Sequence, residues 1–537
     1  MTGAERIEDF ATWFERITAL APRRPAILCG DRTVTWAQLD ESADRLAGYL
    51  DRAGVRPGQR FGLAARNSPD YVAALMAVLK LGATPINVNY RYRPAEMAHV
   101  LTGSGARGAV ADPDVVPAVT EAGAGVVVTV DPAGGFGPEV AAARRLPRRQ
   151  RADAEWVLYT GGTTGYPKAV LGRQSERLEA AWSGGFGTLG IDVDAIGPDA
   201  ALRAALARDP FGPDGLVHLP ASPLMHGTGI YSALGALCVG TPLALLPDRR
   251  TEGEDLLAAL ARHGVTDLTI VGDAFALRLL DALDSAAAEG RDPGIGRLRR
   301  IRSIGAVWTP PVKRRLLAHA DVTLMDTIAA SEGGVYAHAR VTRETPDDEV
   351  GTFTLAPGAR LLDPAGRDVP PGSDEIGLLA APVVPGAGYE GDPDRTADAF
   401  RDLDGVRWSV PGDMARLGAD GRLRLLGRGN QVINTGGEKV FADEVELALR
   451  THPGVRDAVV VGVPDERWGT TVGAVVSLVA GARAGADELA AHVGTQLAGY
   501  KKPRRIAIVD EVPRLVTGKA DLRWARSHLA GRESPVR

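Results

Sequence analysis

The segment YTGGTTGYPKAV, Tyr159 to Val170, constrains this chain more than any other. Its glycines leave backbone N–H groups bare and able to converge on one anion. Thr160, Thr163 and Thr164 add hydroxyl donors, and Lys168 adds a mobile positive charge. Thr160, Gly161, Gly162, Thr163, Thr164, Gly165 and Lys168 together have the chemistry of a polyphosphate cradle. A Walker loop would run Gly-Lys-Ser/Thr into a helix. Here Pro167 precedes the lysine, apolar Ala169, Val170 and Leu171 follow it, and Trp156 to Tyr159 is strand-like. The spacing therefore predicts a loop between two strands. The plain alternative is a surface hairpin built from turn residues.

A chain of 537 residues is too long for one compact core, so about two to four domains are expected. The formal net charge of −5 gives no electrostatic footprint for nucleic acid, although local basic groups can still hold ATP or CoA. Cys29 and Cys238 are the only cysteines, which makes neither a disulfide framework nor a zinc site. The N-terminus reads as an amphipathic helix with interleaved charges, unlike a signal peptide. No run approaches the roughly 18 apolar residues of a membrane span. No stable membrane insertion and a cytoplasmic location are the expectations. A homodimer is compatible with the chain and not specified by it.

Strands and amphipathic helices alternate from about Val34. Ser42 to Leu50 is helical in period, Arg60 to Ala65 reads as a buried strand, Pro69 to Leu81 as an amphipathic helix and Thr84 to Val88 as a second strand. Such βαβ units favour parallel sheets in an α/β fold. The pattern recurs at Leu256 to Val271 and Val312 to Thr323. Asp192 to Gly215, rich in Asp, Pro and Gly, reads as a surface insertion. Asp420-Gly421 marks a hairpin turn, and beyond Gly427 comes a compact α+β pattern. The expected organisation is a large N-terminal multi-sheet α/β domain over 1–427 and a small mobile α+β domain over 428–537.

Further segments carry chemistry. His226 sits among glycines after an apolar run, either near a substrate or simply buried at a helix start. Arg302 to Trp308 is a strand ending in Gly305-Ala306, open to a flat ring. Ser331-Glu332 before two glycines offers a carboxylate for Mg²⁺ shared with phosphates, or an ordinary helix N-terminal acid. Asp413 after Pro-Gly can accept both hydroxyls of a ribose, and Lys519 lies in a Thr-Gly turn near the C-terminus. GFGTLG, Gly185 to Gly190, fits a dinucleotide fingerprint but has helix-like sequence before it, where that motif needs a strand.

Taken in order, RTVTWAQL, INVNYRYRPAEM, the phosphate loop, SPLMHGTG, VGDAF, ASEGG, PGDMARL, INTGGEKV, AGYKKPR and TGKADLRWAR resemble the adenylate-forming superfamily of acyl-CoA synthetases, adenylation domains and luciferases, over about Phe14 to Arg526. INVNYRY, VGDAF, INTGGEKV and GKADLRWA are most similar to the actinobacterial fatty-acid and steroid side-chain CoA ligases. The resemblance implies an ATP-dependent acyl-CoA synthetase using Mg²⁺ and CoA: a carboxylate attacks the α-phosphorus of ATP, and a thiol then displaces AMP after the small domain rotates. It implies β- and γ-phosphate contacts from Thr160 to Lys168, with Thr164 also near the metal. It puts Ser331 by the α-phosphate, Glu332 on Mg²⁺, and Gly305, Ala306 and Asp326 around adenine. Asp413 and Arg428 would meet ribose, and Lys519 would bridge substrate carboxylate and α-phosphate. Lys439, with Gly436 and Gly437, would face the site in the second conformation as a CoA contact. His226, Gly227, Ile230, Gly272, Phe275, Val307 and Trp308 would border the acyl pocket. The same resemblance leaves open a carrier-protein or amine acceptor, a nitrite-activating diazotising relative, and a non-catalytic sensor. Ala169, Ala329, Ile328, Gln431 and Asn434 depart from the family's usual residues.

Overall fold

The computed structural model describes residues 9–531 except 149–150, 152, 161–166, 247–251, 436–437, 466–468 and 516–518, and leaves out the side chains of 428 and 430. The chain forms two compact units. One contains Met1–Ile270, Arg278–Arg302 and Val384–Ala397; the other contains Val271–Leu277, Ser303–Val383 and Asp398–Arg537.

In the first unit, the βαβ reading holds. The strands Arg60–Ala64 and Thr84–Asn87 pair in parallel, and the helix Pro69–Leu81 connects them. Ser68 caps that helix by accepting the Tyr71 N–H, Pro69 supplies a preset φ, and Gly82 closes it at φ 75°. The strands Gly108–Ala111 and Val126–Thr129 extend the same parallel sheet. A second sheet aligns Asp267–Ile270, His218–Pro220, Leu243–Leu245 and Pro25–Cys29 in parallel, with Arg32–Thr35 antiparallel at its end. A third runs Gly388–Tyr389, Lys168–Arg173, Glu155–Thr160, all antiparallel.

Two expectations change. The helix Pro69–Leu81 is buried on every face rather than amphipathic. Its lysine, Lys80, is shielded from solvent because Asp40, Asp44 and Glu15 surround its ammonium. Burial of a charge is tolerable only when it is paired in this way. The segment 192–215 is also more than surface. Its helix Pro198–Leu206 buries Ala201, Leu202 and Ala205 in the main core, and Arg24 reaches the Leu206 and Arg208 carbonyls.

The second unit contains the antiparallel strands Thr323–Ala329, Val335–Val341 and Thr354–Leu355. It also contains the hairpin Asp413–Leu417/Leu423–Arg428, turned at Asp420-Gly421 as the sequence predicts. The C-terminal α+β region follows, with the hairpin Val432–Thr435/Glu438–Phe441 and the helix Ala442–Arg450. The strands Val455–Asp465, Gly469–Leu478 and Arg505–Val509 then form a sheet, and the helix Ala486–Gln496 completes the pattern read from the sequence. Among the described residues no helix is long and apolar enough to cross a membrane.

Candidate active site

The first unit carries the phosphate loop between two antiparallel strands. Glu155–Thr160 pairs with Lys168–Arg173 in a register that sets Thr160 opposite Lys168. Paired strands thus flank 161–166, and Lys168 begins a strand rather than the helix a Walker loop needs. Gly161, Gly162, Thr163, Thr164 and Gly165 lie outside the described residues. Lys168 is half-buried, with its ammonium 5.2 Å from the centre of the Tyr389 ring. Ala169, next along the strand, points to the opposite face. It packs in a core cluster with Tyr159, Val157 and Ala64.

Asn87 is a residue the sequence reading did not single out. Its amide donates to the Tyr159 carbonyl at 2.8 Å and the Met225 carbonyl at 2.7 Å, and accepts the Tyr159 N–H at 2.7 Å. It thereby joins the strand entering the phosphate loop to the segment leading to His226. Asn67 holds the same segment by accepting the Leu224 N–H. His226 precedes the helix Gly227–Cys238, in the N-cap position. Within that helix Gly227 is half-buried and Ile230 buried.

The second unit carries the other predicted positions. Gly272 has φ +58°, and a Cβ there would lie 2.4 Å from the Val307 carbonyl oxygen. Only glycine lets this loop approach the Gly305–Val307 turn so closely. The contact is locked by the Gly272 N–H on Ser303 Oγ and the Asp273 N–H on the Val307 carbonyl. The Thr309 N–H donates to Asp273 as well. Phe275 and Trp308 are buried, whereas Val307 is 39% exposed.

Asp326 lies in the strand Thr323–Ala329, six positions before Glu332, and its carboxylate receives the ammonium of Lys313 at 2.6 Å. Ser331 Oγ donates to Glu332 Oε2 at 2.9 Å and orients that carboxylate. Beneath the turn, the buried Tyr336 hydroxyl donates to the Gly333 carbonyl and meets Ser409 Oγ. Tyr336 is a second anchor missed at the sequence level.

Asp413 is buried and stands opposite Arg428 across its hairpin; the Arg428 side chain lies outside the described residues. Lys439 is exposed, opposite Asn434. Gly436 and Gly437 lie outside the described residues. Lys519 is exposed, and its carbonyl accepts the Leu515 N–H.

A buried ionic cluster closes the C-terminal region. The Arg450 guanidinium reaches Asp273, Asp457 and the Ala458 carbonyl. Burial alone would push the Asp457 carboxyl up, but Arg450 and Arg514 hold it below the usual carboxylate range.

With this geometry in view, the chain matches the AMP-binding enzyme family over residues 14–380 and its C-terminal domain over residues 444–519. The chain belongs to the AMP-binding enzyme family. It is 35% identical to a 3-oxocholest-4-en-26-oate–CoA ligase of Rhodococcus rhodochrous, over 96% of this chain and 95% of the relative. It is also 35% identical to a medium/long-chain fatty-acid/3-oxocholest-4-en-26-oate–CoA ligase of Mycobacterium tuberculosis, over 99% and 97%. The fold matches a benzoate CoA ligase structure from Burkholderia xenovorans LB400, with TM-score 0.78 and 24% identity, covering 97% of this chain and all of that one.

As an AMP-binding enzyme the chain is an acid–thiol ligase. It activates a carboxylic acid as its adenylate, with ATP and Mg²⁺, and passes the acyl group to CoA. Its departures from the family pattern now have locations. Ala169 spends its methyl on the core rather than on the loop's face. Ala329 sits where the register between its strand and Val335–Val341 shifts. Ile328 packs against the cluster around Tyr336 and Phe353. Gln431 ends a 3₁₀ turn at Gly429–Gln431.

Proposed function

We propose that this AMP-binding enzyme activates a medium-chain, branched or polycyclic carboxylic acid of the fatty-acid or steroid side-chain class in the cytoplasm. The chain-length similarity to ligases named for such acids supports the substrate class. Two free, buried cysteines, Cys29 and Cys238, accord with a reducing compartment. The observation that carries the reading at the site is the Thr160–Lys168 register, which brings a hydroxyl donor and an ammonium to the neck of one glycine-rich loop.

The proposed roles follow from the chemistry of each group. Thr160 to Lys168 cradle the β- and γ-phosphates and stabilise the departing pyrophosphate. Gly305 and Ala306 leave a flat wall for the base, with Asp326 at its edge. Asp413 and Arg428 hold the ribose. Ser331 stands by the α-phosphate. His226, Gly227, Ile230, Gly272, Phe275, Val307 and Trp308 border the acyl group. Lys519 neutralises charge between the attacking carboxylate and the α-phosphate, and Lys439 meets CoA.

Glu332 fits a hard divalent cation. Its carboxylate is half-buried, pre-oriented by Ser331, and supplies the oxygen donor that Mg²⁺ takes alongside phosphates. Thr164 would complete the protein's share. When bound, Mg²⁺ neutralises phosphate charge. The residues' own part is positioning, which is where phosphoryl-side chemistry gains its rate. The proposed domain boundary, 427/428, lies between the two matched family regions.

The test is an acid panel with ATP and Mg²⁺, with and without CoA, products read by mass, and nitrite plus an aromatic amine as one arm. Thioesters of medium-chain, branched or steroid side-chain acids are expected. AMP release with no thioester from any acid would overturn the reading.

A further inference from the structure

Lys313 is fully shielded from solvent, in the helix Pro310–His319. Its ammonium lies 2.6 Å from Asp326 Oδ2 and over the rings of Trp308 at 5.3 Å and Phe353 at 5.7 Å. A buried ion pair of this kind contributes less to stability than well-packed apolar side chains of similar volume. Its presence beside the proposed base edge therefore points to chemistry.

Besides the Lys313 ammonium, two groups act on the Asp326 carboxylate, the Thr327 N–H and the Asp273 carboxylate, together with its burial. Burial pushes its carboxyl above the usual range, and Lys313 is the largest force opposing that. An ionised carboxylate only accepts hydrogen bonds, whereas a protonated one also donates. At the six-position of a purine this distinction decides which base is bound. Adenine offers an amino donor there, while hypoxanthine and guanine offer an oxygen acceptor.

We propose that Lys313 is a positioning residue for nucleotide selection: it holds Asp326 as an acceptor-only anion and so sets the preference for a 6-amino over a 6-oxo purine triphosphate. The inference rests on the reading above that Asp326 meets the base. Without Lys313, Asp326 takes up a proton and can donate to a 6-oxo group. The mismatch that rejects the wrong base is then relieved, as expected where selectivity comes from polar groups left unpaired.

The experiment compares ATP with inosine triphosphate in pyrophosphate release at saturating acid. It uses the parent chain, Lys313→Met, Lys313→Gln and the double variant Lys313→Met/Asp326→Asn, each checked by thermal melting. The parent should favour ATP by about 100-fold or more in kcat/KM. Either Lys313 variant should lower that ratio at least about tenfold, mainly through a lower KM for inosine triphosphate. Lys313→Gln keeps length and polarity and decides the matter if the methionine variant does not fold. The double variant, which removes both charges, should also lose the preference, because an asparagine amide can donate to an oxygen. A ratio unchanged in the folded single variants but lost in the double variant overturns the role of Lys313 and leaves Asp326 at the base. A ratio unchanged in both removes Asp326 from the base, and the inference with it.

Discussion

Asn87 shows how one amide can organise a site. Its two polar atoms satisfy three backbone groups, on Tyr159 and Met225, and so fix where the phosphate loop begins relative to the His226 segment. Replacing it with alanine strands those groups in a half-buried environment. Asn87→Ala should cost about 1–3 kcal/mol in urea unfolding. It should also slow acid-dependent ATP–pyrophosphate exchange at least about tenfold, since loop position governs a positioning catalyst. Exchange unchanged by the substitution would mean that the loop is placed by other contacts. Gly272 makes the complementary point. Its positive φ and the nearby Val307 carbonyl leave no room for a side chain. The sequence flags it as a pocket-bordering glycine in VGDAF, by resemblance, and not as a close approach to Val307. Both positions are legible in the sequence as residue types and illegible as contacts, because their partners lie tens of positions away.

At the scale of elements, the C-terminal helix Ala442–Arg450 and strand Val455–Asp465 are joined through charge. Glu446 accepts the Val460 N–H at 2.8 Å. Burial pushes its carboxyl up to about 8, only partly opposed by Arg450. The folded chain thus binds a proton that the unfolded chain releases near pH 4.5, the ordinary glutamate value. Between about 4.5 and 8 the native state holds more protons than the unfolded state, so stability falls as pH rises through that window. Glu446→Gln keeps an acceptor for Val460 and cannot ionise. Urea midpoints at pH 5 and pH 8 should therefore lie closer together in the variant than in the parent. Equal pH dependence in the two chains would show that Glu446 titrates normally. The elements themselves were readable. Ser68, Pro69 and Gly82 punctuate a helix by rules that operate within a few residues. Its burial on all sides was not readable, because Lys80 looks solvent-seeking until Asp40, Asp44 and Glu15 are placed around it.

For the whole molecule, the two half-reactions make different demands on one chain. The first needs positive charge between carboxylate and α-phosphate, the role proposed for Lys519; the second needs a thiol's approach. Lys519→Ala should abolish acyl-adenylate formation while largely sparing thioester formation from supplied acyl adenylate. Equal loss of both steps would show that Lys519 acts in neither role separately. Lys519 is exposed, and the bond its backbone carbonyl accepts from the Leu515 N–H does not depend on its side chain.

By itself the sequence determined the strand–loop–strand around Thr160 and Lys168, the parallel βαβ unit, the Asp420-Gly421 hairpin and the family. Each rests on backbone preferences and periodicities that span only a few residues, or on motifs in a fixed order. Tertiary structure alone decided where the charges go. It enclosed Lys80, Lys313 and Arg450, turned Ala169 into the core, and gave Asn87 and Tyr336 their anchoring partners. Desolvation and ion pairing depend on which distant segments meet, and no local stretch of sequence carries that information.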